Sequence, residues 1–194
     1  MKEKEKPAKA DMLKWTDAYR RCLVWFFDYP YTEISLNELS EKLKMSKTAV
    51  RTAVLSLAAE GFLTRKELGR VWRISCNKEH PFNQGIKIFT HIKMLLLADI
   101  LEKVYKKVPN ARNIILFGSY RKGDDTEKSD VDIAVEVAGS SPLEIVELGE
   151  IDIGYRKNVK INLHIFTRNK IDINLFANIA NGIVLDGFLE AKPK

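Results

Sequence analysis

Residues 114–137, IILFGSYRKGDDTEKSDVDIAVEV, decide how this chain is read. The apolar run Ile114-Ile115-Leu116-Phe117 predicts a buried strand. Gly118-Ser119 follows, then ten residues, then Asp130-Val131-Asp132. In the next strand Val131, Ile133, Val135 and Val137 alternate, so period two sends Asp130, Asp132 and Glu136 to the opposite face. The carboxylates of Asp130 and Asp132 sit about 7 Å apart along the strand and repel unless a cation lies between them. Mg²⁺ suits such a pair, because it takes one or two carboxylates and completes its shell with water and phosphate oxygens. Gly118 lets the backbone approach a phosphate, and Ser119 offers an N–H and a hydroxyl at a strand-to-helix turn.

Outward from this stretch, 194 residues with 45% hydrophobic content can bury one large core or two small ones. The longest apolar run, Cys22 to Phe27, is six residues. That is far below the ~18 of a membrane helix. The start MKEKEKPAKAD has no apolar core of a signal peptide, so residues 1–12 are expected to be a solvated tail and the protein cytoplasmic. Cys22 and Cys76 match no metal spacing and are expected as buried free thiols. Residues 1–80 hold 16 Lys and Arg against 11 Asp and Glu, and the remainder holds 16 against 15. The basic surplus thus belongs to the N-terminal part, which points to a polyanion there.

That part divides cleanly. Leu13 to Asp28 predicts a helix with Trp15, Tyr19, Cys22 and Phe26 on one face, ended by Pro30. Ser35 and Glu38 form a capping box for a second helix, with Ile34 and Leu39 as a staple. Ser46 caps a third helix running to Glu60, with Gly61 just beyond it. Val50, Val54 and Leu57 face inward there, and Lys47, Thr48, Arg51 and Thr52 face outward. Phe62 to Cys76 predicts a β-hairpin turning at Leu68-Gly69, with Arg65, Lys66 and Arg70 near its tip.

Asn77 to Gln84 is expected as a linker. A single helix is expected from Gly85 to Lys107, with Phe89, Ile92, Leu96, Ile100, Val104 and Val108 on its apolar face and His91 a bystander. After the Asp strand, Ser141-Pro142-x-Glu144 carries the marks of a helix start, predicting a helix to Tyr155. KNVKINLHIF then predicts a strand with Ile161, Leu163 and Ile165 on one face and Asn162, His164 and Phe166 on the other. A helix near Asn174–Asn181 and a short strand Ile183–Leu185 complete the chain.

The pattern Gly118-Ser119-x10-Asp130-x-Asp132 between two strands resembles the minimal nucleotidyltransferases of the DNA polymerase β superfamily, over roughly Gly85 to Leu189. The resemblance implies that Gly118 and Ser119 hold the triphosphate of an NTP, ATP the first expectation, and that Asp130 and Asp132 bind Mg²⁺. Lys122 stands where members of the family often carry an Arg before the following Gly. The family usually places a third catalytic carboxylate on the third strand, and the matching position here is Asn162. Asn offers only a neutral carbonyl oxygen and takes up no proton at pH 7. His164, two residues on, is a candidate base or ligand, and Glu136 lies too far along its strand to substitute.

Three helices followed by a basic hairpin resemble a winged helix-turn-helix, in which the third helix enters the major groove and the wing reaches the backbone. The expected fold is therefore α+β: a winged helix domain over 13–80, then a nucleotidyltransferase-like small mixed sheet flanked by helices over 81–194. Two functions follow. One is an enzyme using Asp130, Asp132 and Asn162 to transfer a nucleoside monophosphate to a protein or RNA hydroxyl. For prokaryotic members the resemblance implies a protein acceptor such as a HEPN-type toxin, with the chain as antitoxin. The other is a regulator that binds double-stranded DNA through Lys47, Thr48, Arg51, Thr52, Arg65, Lys66 and Arg70, its second domain a catalytically weak nucleotide sensor or docking module. Winged-helix regulators commonly form homodimers, though no heptad marks a dimer here.

Overall fold

The computed structural model describes residues 15–190. The tail expected at 1–12 and the start of the first helix at Leu13 lie outside them. The chain forms two compact units that meet in sequence between His80 and Pro81.

In the first unit, α1 (Asp17–Asp28) starts at Thr16, whose hydroxyl accepts from the Tyr19 N–H at 3.2 Å. The helix buries Tyr19, Cys22, Leu23, Phe26 and Phe27. The Tyr19 hydroxyl donates to Glu60 at 2.6 Å, tying α1 to the end of the third helix. Helix α2 (Leu36–Leu43) carries the complete Ser35–Glu38 capping box. Helix α3 (Lys47–Ala59) is capped by Ser46, which accepts from Ala49. Strands β1 (Leu63–Leu68) and β2 (Val71–Cys76) pair antiparallel from Leu63 with Cys76 to Leu68 with Val71. The turn is thus Gly69-Arg70, one residue later than expected. Neither cysteine forms a disulfide and both are buried, and burial pushes the Cys22 thiol up to about 12.

The second unit is built on a five-stranded sheet, ordered β5-β6-β4-β3-β7. Its strands are β3 (Asn113–Phe117), β4 (Val131–Glu136), β5 (Glu144–Ile153), β6 (Arg156–Phe166) and β7 (Ile183–Gly187). Only β4 and β6 run parallel. One sheet face, with Ile114, Leu116, Val131, Ile133, Ile161 and Leu163, forms a core with Leu95, Ile100 and Val104 of the preceding helices. The other face buries Ile115, Phe117, Ala134 and Phe166 with Ile179 of α7 (Ile173–Ala180).

Two expectations fail here, each for a local reason. The helix expected from Ser141 to Tyr155 is the edge strand β5. Its EIVELGEIDI alternates, burying Ile151 and Ile153 and exposing Glu150 and Asp152, and Gly149 accommodates a shift in its register against β6. The Ser141 carbonyl accepts from the Thr167 hydroxyl at 2.7 Å instead of opening a helix. The single helix expected over Gly85–Lys107 is two, α4 (Ile86–Leu97) and α5 (Ile100–Lys107), broken at Asp99, which lies in the left-handed region at φ 55°. Ile100, Val104 and Val108 are buried as expected, but the break shifts the inward stripe of α4 to Lys87, His91 and Leu95. Phe89 and Leu96 are consequently exposed, at 54% and 42%.

Candidate nucleotide site

The end of β3 turns directly into α6 (Gly118–Lys122), a single helical turn. Phe117 pairs with Asp132 across β3 and β4, and Asp132 pairs with Asn162 across the parallel β4 and β6. Sheet register thus fixes three neighbouring backbones, and side-chain alternation brings Asp132, Asn162 and His164 to one face. The Asn162 amide lies 3.5 Å from both Asp130 Oδ2 and Asp132 Oδ1. His164 Nε2 lies 3.4 Å from Asp132 Oδ1, and its ring packs edge-on against Phe117 with centroids 4.9 Å apart. Gly118, at φ 70°, leaves the space that Asp132 occupies: a Cβ there would stand 2.5 Å from Oδ2.

Ser119 follows Gly118 at the start of the turn, half-buried, and Lys122 at its end is exposed. Glu136 takes no part in this site. It is buried at the far end of β4, where Arg168 binds it at 2.9 and 3.1 Å and Asn113 accepts its backbone N–H at 3.1 Å.

His91, expected as a bystander, belongs to a buried cluster under the Gly-Ser turn that the sequence reading missed. Asp125, from the ten-residue spacer, is fully buried and faces Lys87 Nζ at 3.2 Å, Arg156 at 3.4 Å and His91 Nδ1 at 3.5 Å. Lys87 also donates to the Asp125 carbonyl at 2.5 Å. Arg156 donates to the Thr126 carbonyl and to the hydroxyl of Tyr120, the buried residue of α6. Burial alone would raise the Asp125 carboxyl, but His91, Lys87 and Arg156 outweigh it and hold the group below the usual carboxylate range. The one available signal was the Lys87–His91–Leu95 spacing of four, masked by the more apolar stripe beside it.

The donor set fits Mg²⁺–nucleotide. Among the described residues no three His, Cys, Asp or Glu side chains converge as a metal cage. Two carboxylates with a triphosphate beside them are what Mg²⁺ takes when phosphate oxygens supply the rest.

In the first unit, Lys47, Thr48, Arg51 and Thr52 are exposed along one face of α3, as are Lys66 and Arg70 on the hairpin, while Arg65 is half-buried. The structure brings Arg51 and Arg65 onto Trp72, their guanidinium carbons 5.2 and 4.4 Å from its ring centroid. A cavity of about 240 Å³ beside them is lined by Ser35, Asn37, Arg51, Arg70 and Trp72. Arg65 also pairs with Glu67, which offsets part of its charge.

Residues 97–180 match the family described as the nucleotidyltransferase domain. A 77-residue stretch is 35% identical to a Methanocaldococcus jannaschii protein named for protein adenylyltransferase activity, covering 37% of this chain and 75% of that one. The chain belongs to the nucleotidyltransferase-domain family. Among the described residues no helix is long and apolar enough to cross a membrane.

Proposed function

We propose that the second unit binds an NTP with Mg²⁺ and transfers a nucleoside monophosphate, AMP first among them, to a hydroxyl of a protein or RNA. The observation that carries this reading is the register of Asp132 against Asn162, with Gly118 cleared of side chain at the same point. Ser119 and the backbone of the following turn hold the phosphates, and Lys122 adds a cation at the turn's end. Asp130 and Asp132 hold the ion. When bound, Mg²⁺ neutralises charge on the phosphates and favours in-line displacement with loss of pyrophosphate. Asn162 orients both carboxylates through its amide but removes no proton from the acceptor, so turnover is slow. The buried Asp125 cluster fixes the loop that spaces Gly118-Ser119 from Asp130.

The first unit is a winged helix that docks duplex DNA through Lys47, Thr48, Arg51, Thr52, Arg65, Lys66 and Arg70. The stacking of Arg51 and Arg65 on Trp72 supports this, because it pre-orders two long cationic side chains. A partner protein, such as a HEPN-type toxin, is the favoured acceptor, with the chain acting as its antitoxin, as a homodimer, in the cytoplasm. The alternative, a DNA-binding regulator whose second unit only senses nucleotide or docks a protein, is favoured by Asn162 and by the basic surplus of residues 1–80. Titration calorimetry tests the shared core: Mg²⁺–ATP binds the wild type, and Asp130→Ala or Asp132→Ala abolishes the metal-dependent part with folding intact. Absence of Mg²⁺-dependent binding at millimolar ATP overturns the reading.

A further inference from the structure

Given the transfer proposed above, on which this inference rests, we infer that Glu147 of β5 is its general base, taking the acceptor proton that Asn162 cannot take. One row of the sheet carries the assignment. Glu147 pairs with Asn162 across β5 and β6, and Asn162 pairs with Asp132 across β6 and β4. Directly paired residues present their side chains on one face. Two contacts agree: the Asn162 amide donates to Asp132 at 3.5 Å, and Glu147 meets Lys160, two residues before Asn162, at 3.6 Å.

In-line displacement sets where the acceptor enters. Pyrophosphate leaves from the Gly118-Ser119 turn at the end of β3, so the attacking oxygen stands on the far side of the α-phosphorus, away from β3. That direction runs from Asp132 over β6 toward β5. The β3 side of the same face is covered by Ile179 of α7, which packs with Ile115 and Phe117. Adjacent strands lie about 4.8 Å apart, so the backbones of Asp132 and Glu147 stand about 10 Å apart with Asn162 midway. An attacking oxygen and a phosphorus in line fit that interval. Glu147 takes no share of the ion, in accord with the lack of any three converging His, Cys, Asp or Glu side chains among the described residues.

Other groups on this face are committed elsewhere. The Asn162 amide is turned to both carboxylates and takes up no proton at pH 7. His164 turns Nε2 to Asp132 at 3.4 Å, with its ring against Phe117. Glu147 is exposed and pairs with Lys160 beyond hydrogen-bond distance, which leaves its oxygens open to a donor. The acceptor O–H proton passes to Glu147 as the new oxygen–phosphorus bond forms. The bond to the pyrophosphate oxygen breaks, its electrons leave with pyrophosphate, and the exposed Glu147 returns the proton to water. A base one strand removed from Asn162 gives slow turnover rather than none.

Labelling of the full chain's acceptors from α-labelled ATP tests this, with a pool of Ser-, Thr- and Tyr-containing peptides and a short RNA as probes. The wild type should label slowly. Glu147→Gln should lower labelling about 100-fold, with Mg²⁺–ATP affinity by calorimetry moved no more than about twofold. In a chain carrying Asn162→Asp, which has a nearer carboxylate, Glu147→Gln should cost no more than about threefold. An equal loss in both backgrounds is what a structural role gives, and it overturns the inference, as does a loss of ATP affinity. Undiminished labelling by Glu147→Gln, or labelling only when Asn162→Asp is present, overturns it too and leaves the transfer reading standing. No labelling in either background overturns both.

Discussion

The Asp132 carboxylate occupies the space where a side chain on Gly118 would begin, with Oδ2 2.5 Å from the missing Cβ. Gly118→Ala therefore displaces a candidate metal ligand as well as straining a backbone at φ 70°. Transfer, read in a chain that also carries Asn162→Asp so that turnover is measurable, is expected to fall about 100-fold, the usual effect of misplacing a reacting group by an ångström. Stability is expected to fall by about 1–3 kcal/mol. Gly69 in the hairpin turn is the control: it has a similar φ of 60° but nothing within 4 Å of its missing Cβ. Gly69→Ala should cost comparable stability and leave transfer unchanged. Equal loss of activity in both variants would show that Asp132 tolerates the added methyl.

Asn162→Asp restores a carboxylate at the position paired with Asp132. The change is nearly isosteric, so folding is retained, with some destabilisation when no metal is present because three carboxylates crowd one point. With Mg²⁺ that repulsion is relieved. Labelling of protein or RNA from α-labelled ATP should be slow or undetectable in the wild type and clearly faster in the variant. No labelling by either protein, with ATP binding demonstrated, leaves the sensor reading.

Asp125 supplies a pH prediction. Its folded pKa lies below its unfolded value near 3.8. Its contribution is therefore complete above that value and is lost as pH falls through the folded one. Urea midpoints of the wild type should drop steeply below about pH 4. Asp125→Asn leaves Lys87 and Arg156 buried without their counter-charge and should cost roughly 3–5 kcal/mol at pH 7. The wild-type advantage should shrink as acid protonates Asp125. An advantage that is constant from pH 7 to pH 3 would assign Asp125 no electrostatic role.

For duplex DNA, a Kd of roughly 10⁻⁴ to 10⁻⁶ M at physiological salt is expected without a specific site. Lys47→Ala and Arg51→Ala should each weaken binding and flatten its salt dependence by about one unit of slope. Trp72→Ala removes the ring under Arg51 and Arg65 and should weaken binding without removing a charge. Unchanged affinity in a variant lacking Lys47, Arg51, Arg65 and Arg70 makes this unit a protein-docking module.

The sequence showed its local devices clearly and its distant ones poorly. Gly118-Ser119 and the Asp pair were legible because turn chemistry and period two act over a few residues. The Ser35 box and the Ser46 cap were legible for the same reason. Strand β5 was misread because Ser141-Pro142-x-Glu144 imitates a helix cap, while what makes it a strand is pairing with β6, which comes later in the chain. The break at Asp99 carried no Gly or Pro to announce it. The cluster around Asp125 draws Lys87, His91 and Arg156 from three elements, and no spacing rule joins them. Trp72 was passed over because its two guanidinium partners come from α3 and β1.

Strand β6 lies between β5 and β4, so the partner of Asp132 arrives 30 residues after it. At about 5–20 residues per second the ribosome takes roughly 2–6 s to make that interval. During it, both aspartates exist while one flank of β4 has no neighbour, and Val131, Ile133 and Val135 lack the packing of Ile161 and Leu163. A nascent chain halted after Glu136 carries Gly118-Ser119 and both aspartates but not the strand that sets Asn162 beside them. The pairing of Asp132 with Asn162 is thus missing until translation has passed β6, and that same window is when the sheet is most open to capture by a chaperone or by another unfinished copy.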